Sequence, residues 1–251
     1  MLTIPATTAR HSDLKRMLSK VPEVTLYFWV IKVLATTVGE TAADFLDTNL
    51  NVGLTGTTLI MSGFLPVALG VQFQTRRYVP GAYWLAVVLI SIVDTLITDN
   101  LVDNLGVGLG VCTVAFGVAM LATCGVWYAS ERTLSIHSIT TTKREAFYWL
   151  AILFTFALGT AAGDLIAEGL DIGYFNSAIL FIAMIGLVFI HYRYLNLNAA
   201  AAFWTAYVLT RPLGASTGDL LSRRRPMEGS GSARRSRASS SSPPSSWSSS
   251  T

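Results

Sequence analysis

One short pattern is written four times along this chain, and it limits the fold more than any other feature. Each copy opens with an aromatic-Trp pair: Phe28-Trp29, Tyr83-Trp84, Tyr148-Trp149 and Phe203-Trp204. Fifteen residues after each Trp stands an Asp: Asp44, Asp99, Asp164 and Asp219. Ten residues after the Trp comes Gly39, Gly159 or Gly214, with Asp94 in the second copy, and at twenty-four residues come Gly53, Gly108 and Gly173. Identical offsets in four copies mark one supersecondary unit used repeatedly, so the fold must be an array of that unit.

The unit is built for a bilayer. Only 13% of residues are charged and 52% are hydrophobic, a balance unlike that of a soluble domain. Seven apolar stretches approach the roughly 20 residues that cross the hydrocarbon. They cover about residues 24–46, 54–73, 82–101, 108–129, 146–166, 175–192 and 200–221. The chain is expected to be an all-α integral membrane protein of seven transmembrane helices, with no cleavable signal peptide ahead of the first. Arg10, Lys15, Arg16 and Lys20 precede that helix, and Arg76, Arg77, Arg132, Lys143, Arg144 and Arg193 fall in alternate loops. The remaining loops lack Lys and Arg, so the N-terminus is expected in the cytoplasm. Trp29, Trp84, Trp149 and Trp204 then mark the cytoplasmic ends of the odd-numbered helices. The motif Asp residues lie about 22 Å outward of them.

Two crossings return the chain to its starting side, so the copies run parallel, and parallel repeats share an axis along the membrane normal. The Trp spacings of 55, 65 and 55 residues indicate two pseudo-symmetric halves. The expected division is a cytoplasmic segment 1–23, a first half 24–129, a connector 130–145, a second half 146–221 and a disordered Arg/Ser-rich tail 222–251. With seven helices that tail would lie outside, against the bias of every other loop. An eighth span is therefore expected to be missing, through a frameshift near Ser222 or an alternative end. The other reading is a genuine extracytoplasmic basic tail.

The tandem two-helix repeats, with the stretches Lys32 to Asp44, Phe147 to Asp164 and Thr210 to Asp219, resemble a bacterial multi-pass membrane family. That family is known as a repeat of unknown function and labelled a membrane-anchored protein. The resemblance spans nearly all of residues 21–222 and implies an eight-helix product of the inner membrane, without implying a chemistry.

Ionisable groups inside hydrocarbon mark functional sites by default, because each costs at least about 2.5–3.5 kcal/mol near the centre. Glu40 and Asp44 share a face of the first helix, with Lys32 and Thr36 on the same stripe. Asp94 and Asp99 lie in the third helix, Asp164 in the fifth, and Arg211, Pro212 and Asp219 in the seventh. Lys32 and Arg211 lie deeper than the Asp level, and Arg211, Asp94 and Glu40 stand seven, ten and eleven residues after their Trp. Arg211 is expected to pair with Asp94 or Glu40. Small residues beside each Asp let helices approach closely.

Four carboxylates at one depth form an acidic mouth, and rings of Asp or Glu select cations. The first expectation is a cation transporter or channel, for a divalent metal or coupled to protons. Asp44, Asp99, Asp164 and Asp219 would be ion ligands, and Glu40 or Asp94 the titrating group. The plainer reading of these Asp residues is that each caps the turn into the next helix. A second class is a non-transporting assembly or binding protein. The third, an intramembrane aspartyl hydrolase, rests on Gly163-Asp164 and Gly218-Asp219, but Ala161 and Ser216 break the Gly-x-Gly-Asp pattern. No enzyme is expected, and no cofactor beyond a bound or transported divalent cation. Cys112 and Cys124 have no ligand spacing. The partners implied are the lipid bilayer and an inorganic cation, not nucleic acid.

Overall fold

A computed structural model describes residues 20–136 and 139–223. Among them are seven α-helices and no strand: α1 (Leu26–Asn49), α2 (Gly53–Gln74), α3 (Pro80–Asp99), α4 (Leu109–Glu131), α5 (Thr142–Asp164), α6 (Tyr174–Tyr194) and α7 (Ala199–Arg223). Two π-helical turns, Asn100–Asn104 and Leu165–Gly169, continue α3 and α5 directly beyond their motif Asp. The expected N-terminal segment lies largely outside the described residues, as does the tail beyond Arg223.

Local chemistry sets the helix ends. The Thr25 and Thr141 side chains accept backbone N–H bonds at the starts of α1 and α5, the usual service of an N-cap hydroxyl. Pro80 opens α3, where a missing N–H costs nothing. Gly53 and Gly173 turn into α2 and α6 with φ of 73° and 78°, the left-handed region where a Cβ is strained. This accounts for glycine at that offset in the first and third copies; Gly108 has an ordinary φ of −62°, and the left-handed glycine of the second copy is Gly106.

Five segments are long and apolar enough to cross a membrane: α2, α3 with its π turn, α4, α5 with its π turn, and α6. The sequence reading expected seven. The other two, α1 and α7, have ample length at 24 and 25 residues. They carry Lys32, Glu40, Asp44 and Asp47, and Arg211, Asp219 and Arg223, which lower their apolarity.

The helices divide into an inner and an outer set. Helices α1, α3, α5 and α7 form a ring in which α1 touches α3 and α7, and α5 touches the same two. Of the four contacts, α3 against α5 is the slightest. Each outer helix leans mainly on the first helix of the next repeat: α2 on α3, α4 on α5 and α6 on α7. The repeats are therefore interlocked, and the hairpin α1–α2 scarcely packs on itself. Outward-facing apolar side chains such as Tyr27, Leu59, Val114, Leu121, Ile182 and Phe189 remain exposed, a surface suited to acyl chains.

At the Trp end the ring is fastened by Lys20, whose ammonium bonds the buried Glu145 carboxylate at 2.6 Å and the Phe73 carbonyl at 3.1 Å. This contact joins the N-terminal segment, the end of α2 and the first turn of α5.

Candidate functional site

Equal offsets from the four Trp residues become layers across the inner ring. The layer just before each Trp contains Phe28, Tyr83, Tyr148 and Phe203, in which the Tyr83 and Tyr148 hydroxyls are bonded at 2.6 Å. Trp204 packs edge-on to Trp127 and donates its indole N–H to the Leu134 carbonyl at 3.2 Å. Trp84 donates to the Tyr78 hydroxyl at 3.1 Å. Burial raises the Tyr78 phenol above its ordinary pKa, a shift that this bond opposes. Trp149 is buried against Tyr83, and the half-buried Trp29 packs on Phe28 and Phe203. The repeat-marker aromatics thus pack the Trp end of the ring beside the buried Lys20–Glu145 ion pair.

Three residues after the Trp come Lys32, Val87, Ile152 and Tyr207, and seven after come Thr36, Ser91, Phe156 and Arg211; all eight are buried. Glycine at the tenth position receives the seventh-position residue of the adjacent inner helix. A methyl group on Gly159 would lie 2.6 Å from Arg211 Cβ, and one on Gly39 or Gly214 would overlap Ser91 or Thr36. The same rotation carries α1 onto α3, α5 onto α7 and α7 onto α1, and shows the inner helices to be parallel and in register. The fourth junction, α3 onto α5, is where Asp94 replaces glycine, and its looser packing leaves room for a carboxylate.

That exception creates the charged centre. Arg211 is fully buried; its Nη1 donates to Glu40 Oε2 at 2.8 Å and its Nε to Asp94 Oδ2 at 3.2 Å. Nη2 donates to the Ser91 carbonyl at 3.3 Å and to the Thr95 hydroxyl. The carboxylates have further donors, Thr95 Oγ1 to Glu40 Oε2 at 3.0 Å and Thr160 Oγ1 to Asp94 Oδ2 at 2.6 Å. Arg211 meets both expected partners, because a guanidinium is a planar fork that can serve two acceptors at once. Pro212, next to it, packs against Gly159 and Gly163.

Lys32 lies on the Trp side of this centre. Its Nζ is 3.8 Å from the Tyr207 ring centroid and 4.5 Å from that of Phe156, with no hydrogen-bond partner among the described residues. The Phe156 ring also faces the Arg211 guanidinium, at 5.8 Å.

On the other side are the motif Asp residues, all half-buried. Asp164 stands within electrostatic reach of Glu40, Asp99, Asp219 and Glu168. Asp44 follows Glu40 by one turn on α1. Thr98, beside Asp99, is buried with its hydroxyl unpartnered among the described residues. Val52, Gly108 and Gly173, which precede α2, α4 and α6, supply no side-chain cap of their own. Among the described residues, no three His, Cys, Asp or Glu side chains are grouped to hold a metal ion.

The sequence reading missed Thr95, Thr160, Ser91, Phe156 and Tyr207. All five sit at the offsets of residues it did single out, so alignment of the four copies was the signal that would have found them.

Fold and centre together define a helical, apolar repeat protein of membrane type, with a charged core inside a ring of like helices. The family model described as Repeat of Unknown Function (DUF347) matches residues 27–78, 82–133, 147–196 and 202–233, and the chain belongs to this family. No curated protein and no solved structure matches it.

Proposed function

We propose that the protein is a bacterial inner-membrane transporter or channel for a cation, with all seven helices spanning the bilayer and the N-terminus in the cytoplasm. The reading is supported above all by the Arg211–Glu40–Asp94 cluster, buried at the centre of a ring of helices. Charges held inside a bundle at that depth ordinarily mark an ion or proton path. The Asp99, Asp164 and Asp219 group would collect cations at the outer mouth, and Glu40 and Asp94 would receive them. A small monovalent cation or a proton suits the core better than a divalent metal, since Arg211 already offsets one of its two carboxylate charges. The protein is read as a transporter and not an enzyme.

The measurement is flux. Liposomes carrying the full chain and an internal pH dye are given a sodium or potassium gradient. Transport is expected with the native chain, and a return to the protein-free rate with Glu40→Gln or Asp94→Asn. Equal flux in native and Glu40→Gln liposomes would remove the core carboxylates from the path. The second reading, an assembly protein with no flux, draws support from the hydrogen bonding of Arg211, which ties α7 to α1 and α3 as a staple would. Absence of flux in the native chain would favour it.

A further inference from the structure

The charged core holds one cation that its hydrogen bonds do not use. Lys32 is completely buried, and its ammonium has no hydrogen-bond partner among the described residues. An ammonium brings three donors, and leaving them unmet away from water is costly. The ring faces of Tyr207 and Phe156 compensate in part. Counting charge explains the rest: the core holds two carboxylates, Glu40 and Asp94, and two basic groups, Arg211 and Lys32, and the Lys32 ammonium is repelled by Arg211 as well as attracted by Asp94. Lys32 is thus a countercharge acting at a distance.

We infer that Lys32 gives up a proton when a monovalent cation settles on Glu40 and Asp94, so that the protein exchanges one proton for one cation; this rests on the core being the cation site proposed above. The balance is simple. One N–H bond of the ammonium breaks, its electron pair stays on nitrogen as the amine lone pair, and the proton leaves to water. The arriving cation, held by carboxylate oxygens of Glu40 and Asp94, supplies the charge that Lys32 has lost, and the net charge of the core is unchanged. Arg211 cannot do this, because a guanidinium keeps its proton. The amine, once neutral, loses the attraction of the two ring faces for a cation and is relieved of the cost of a buried charge short of hydrogen bonds.

The groups that bear on Lys32 are few. Glu40 shares its helix; Asp94 and Tyr83 come from α3, Tyr148 from α5, and Arg211 and Tyr207 from α7, whereas α2 has no charged or titratable side chain. Phenols are neutral at ordinary pH, which leaves Lys32, Glu40 and Asp94 to exchange protons. The experiment must therefore separate an ammonium proton from a carboxylate proton.

The full chain in detergent, weakly buffered with a pH indicator, is mixed with sodium or potassium chloride. N-methylglucamine chloride controls for ionic strength, and tryptophan fluorescence reports binding. The native chain is expected to release about one proton per chain as the cation binds, the loss that holds the core neutral. Lys32→Met is expected to bind the cation without releasing a proton and with an affinity independent of pH. Lys32→Arg keeps the core charge and so preserves folding; it is expected to release none. Proton release at the native level from either variant would overturn the inference, since a carboxylate would then be the donor. Binding by the native chain without release would overturn it while leaving the cation site standing. No fluorescence response to either cation would defeat both.

Discussion

At the scale of single residues, Arg211 is the side chain whose loss should be felt most. It is fully buried and bonded to Glu40 and Asp94, so Arg211→Met would leave two buried carboxylates without the cation that is hydrogen-bonded to them, and only Lys32, which bonds neither, within reach. Breaking a buried ion pair by removing one partner costs about 3–5 kcal/mol, and the variant is expected to melt well below the native chain in detergent. Combining it with Glu40→Gln and Asp94→Asn should restore most of the midpoint, because the cost lies in the stranded charge more than in the lost bonds. If the triple variant melts no higher than Arg211→Met alone, packing of the guanidinium stem sets stability instead. Thr160→Val tests the same centre more gently. It removes the donor to Asp94 Oδ2 at 2.6 Å while keeping side-chain volume, and a loss of about 1–3 kcal/mol is expected, the cost of a buried acceptor left short of a partner.

At the scale of helices, glycine position decides how the ring closes. Gly214 on α7 faces Thr36 and the Thr37 backbone N–H of α1, while the Thr37 hydroxyl donates to the Gly214 carbonyl at 3.1 Å. Gly214→Ala would push α7 off α1, and overpacking of this kind costs about 1–3 kcal/mol. Gly63, in α2, has open space where its Cβ would stand, so Gly63→Ala should leave the melting midpoint unchanged or slightly higher; equal losses at both positions would mean that helix propensity, not interhelical fit, governs the response. Such pairs also show what the sequence made legible. The offset of each glycine from its Trp was readable, and so was the agreement in depth of Glu40, Asp94 and Arg211, because helical rise converts residue number directly into height. Lateral neighbours were not readable. Nothing in a list of offsets tells that α1 sits beside α7, that Asp94 takes the place of glycine at the loosest junction, or that Lys32 points between Phe156 and Tyr207. The π turns after Asp99 and Asp164 were equally hidden, and the first repeat passes from α1 to α2 without one.

At the scale of the whole molecule, the interlocking of repeats is the feature that a hairpin-by-hairpin reading gets wrong. A two-helix repeat suggests that each hairpin packs on itself, yet α2 leans on α3, the first helix of the following copy. The contact has named polar points: the Thr55 hydroxyl donates to Asn100 Oδ1 at 3.0 Å, and Asn100 Nδ2 donates to the Thr58 hydroxyl at 2.8 Å. Each repeat thereby depends on its successor for burial, as stacked repeat units do, and the ring closes only when α7 reaches α1. A chain with Cys112→Ala and Cys124→Ala, carrying Thr55→Cys and Asn100→Cys, should form a crosslink under mild oxidation. With a protease site inserted in the loop after Gln74, cleavage would cut the chain between the two new cysteines. The fragments should then travel as one band on a non-reducing gel and separate on reduction. Separation without reductant, in a sample whose thiols are oxidised, would place α2 away from α3 and return the fold to four self-contained hairpins. In that arrangement the α1–α3 junction would lose the outer helix that braces it, and the register bringing Glu40 on α1 to Thr95 on α3 would need another support.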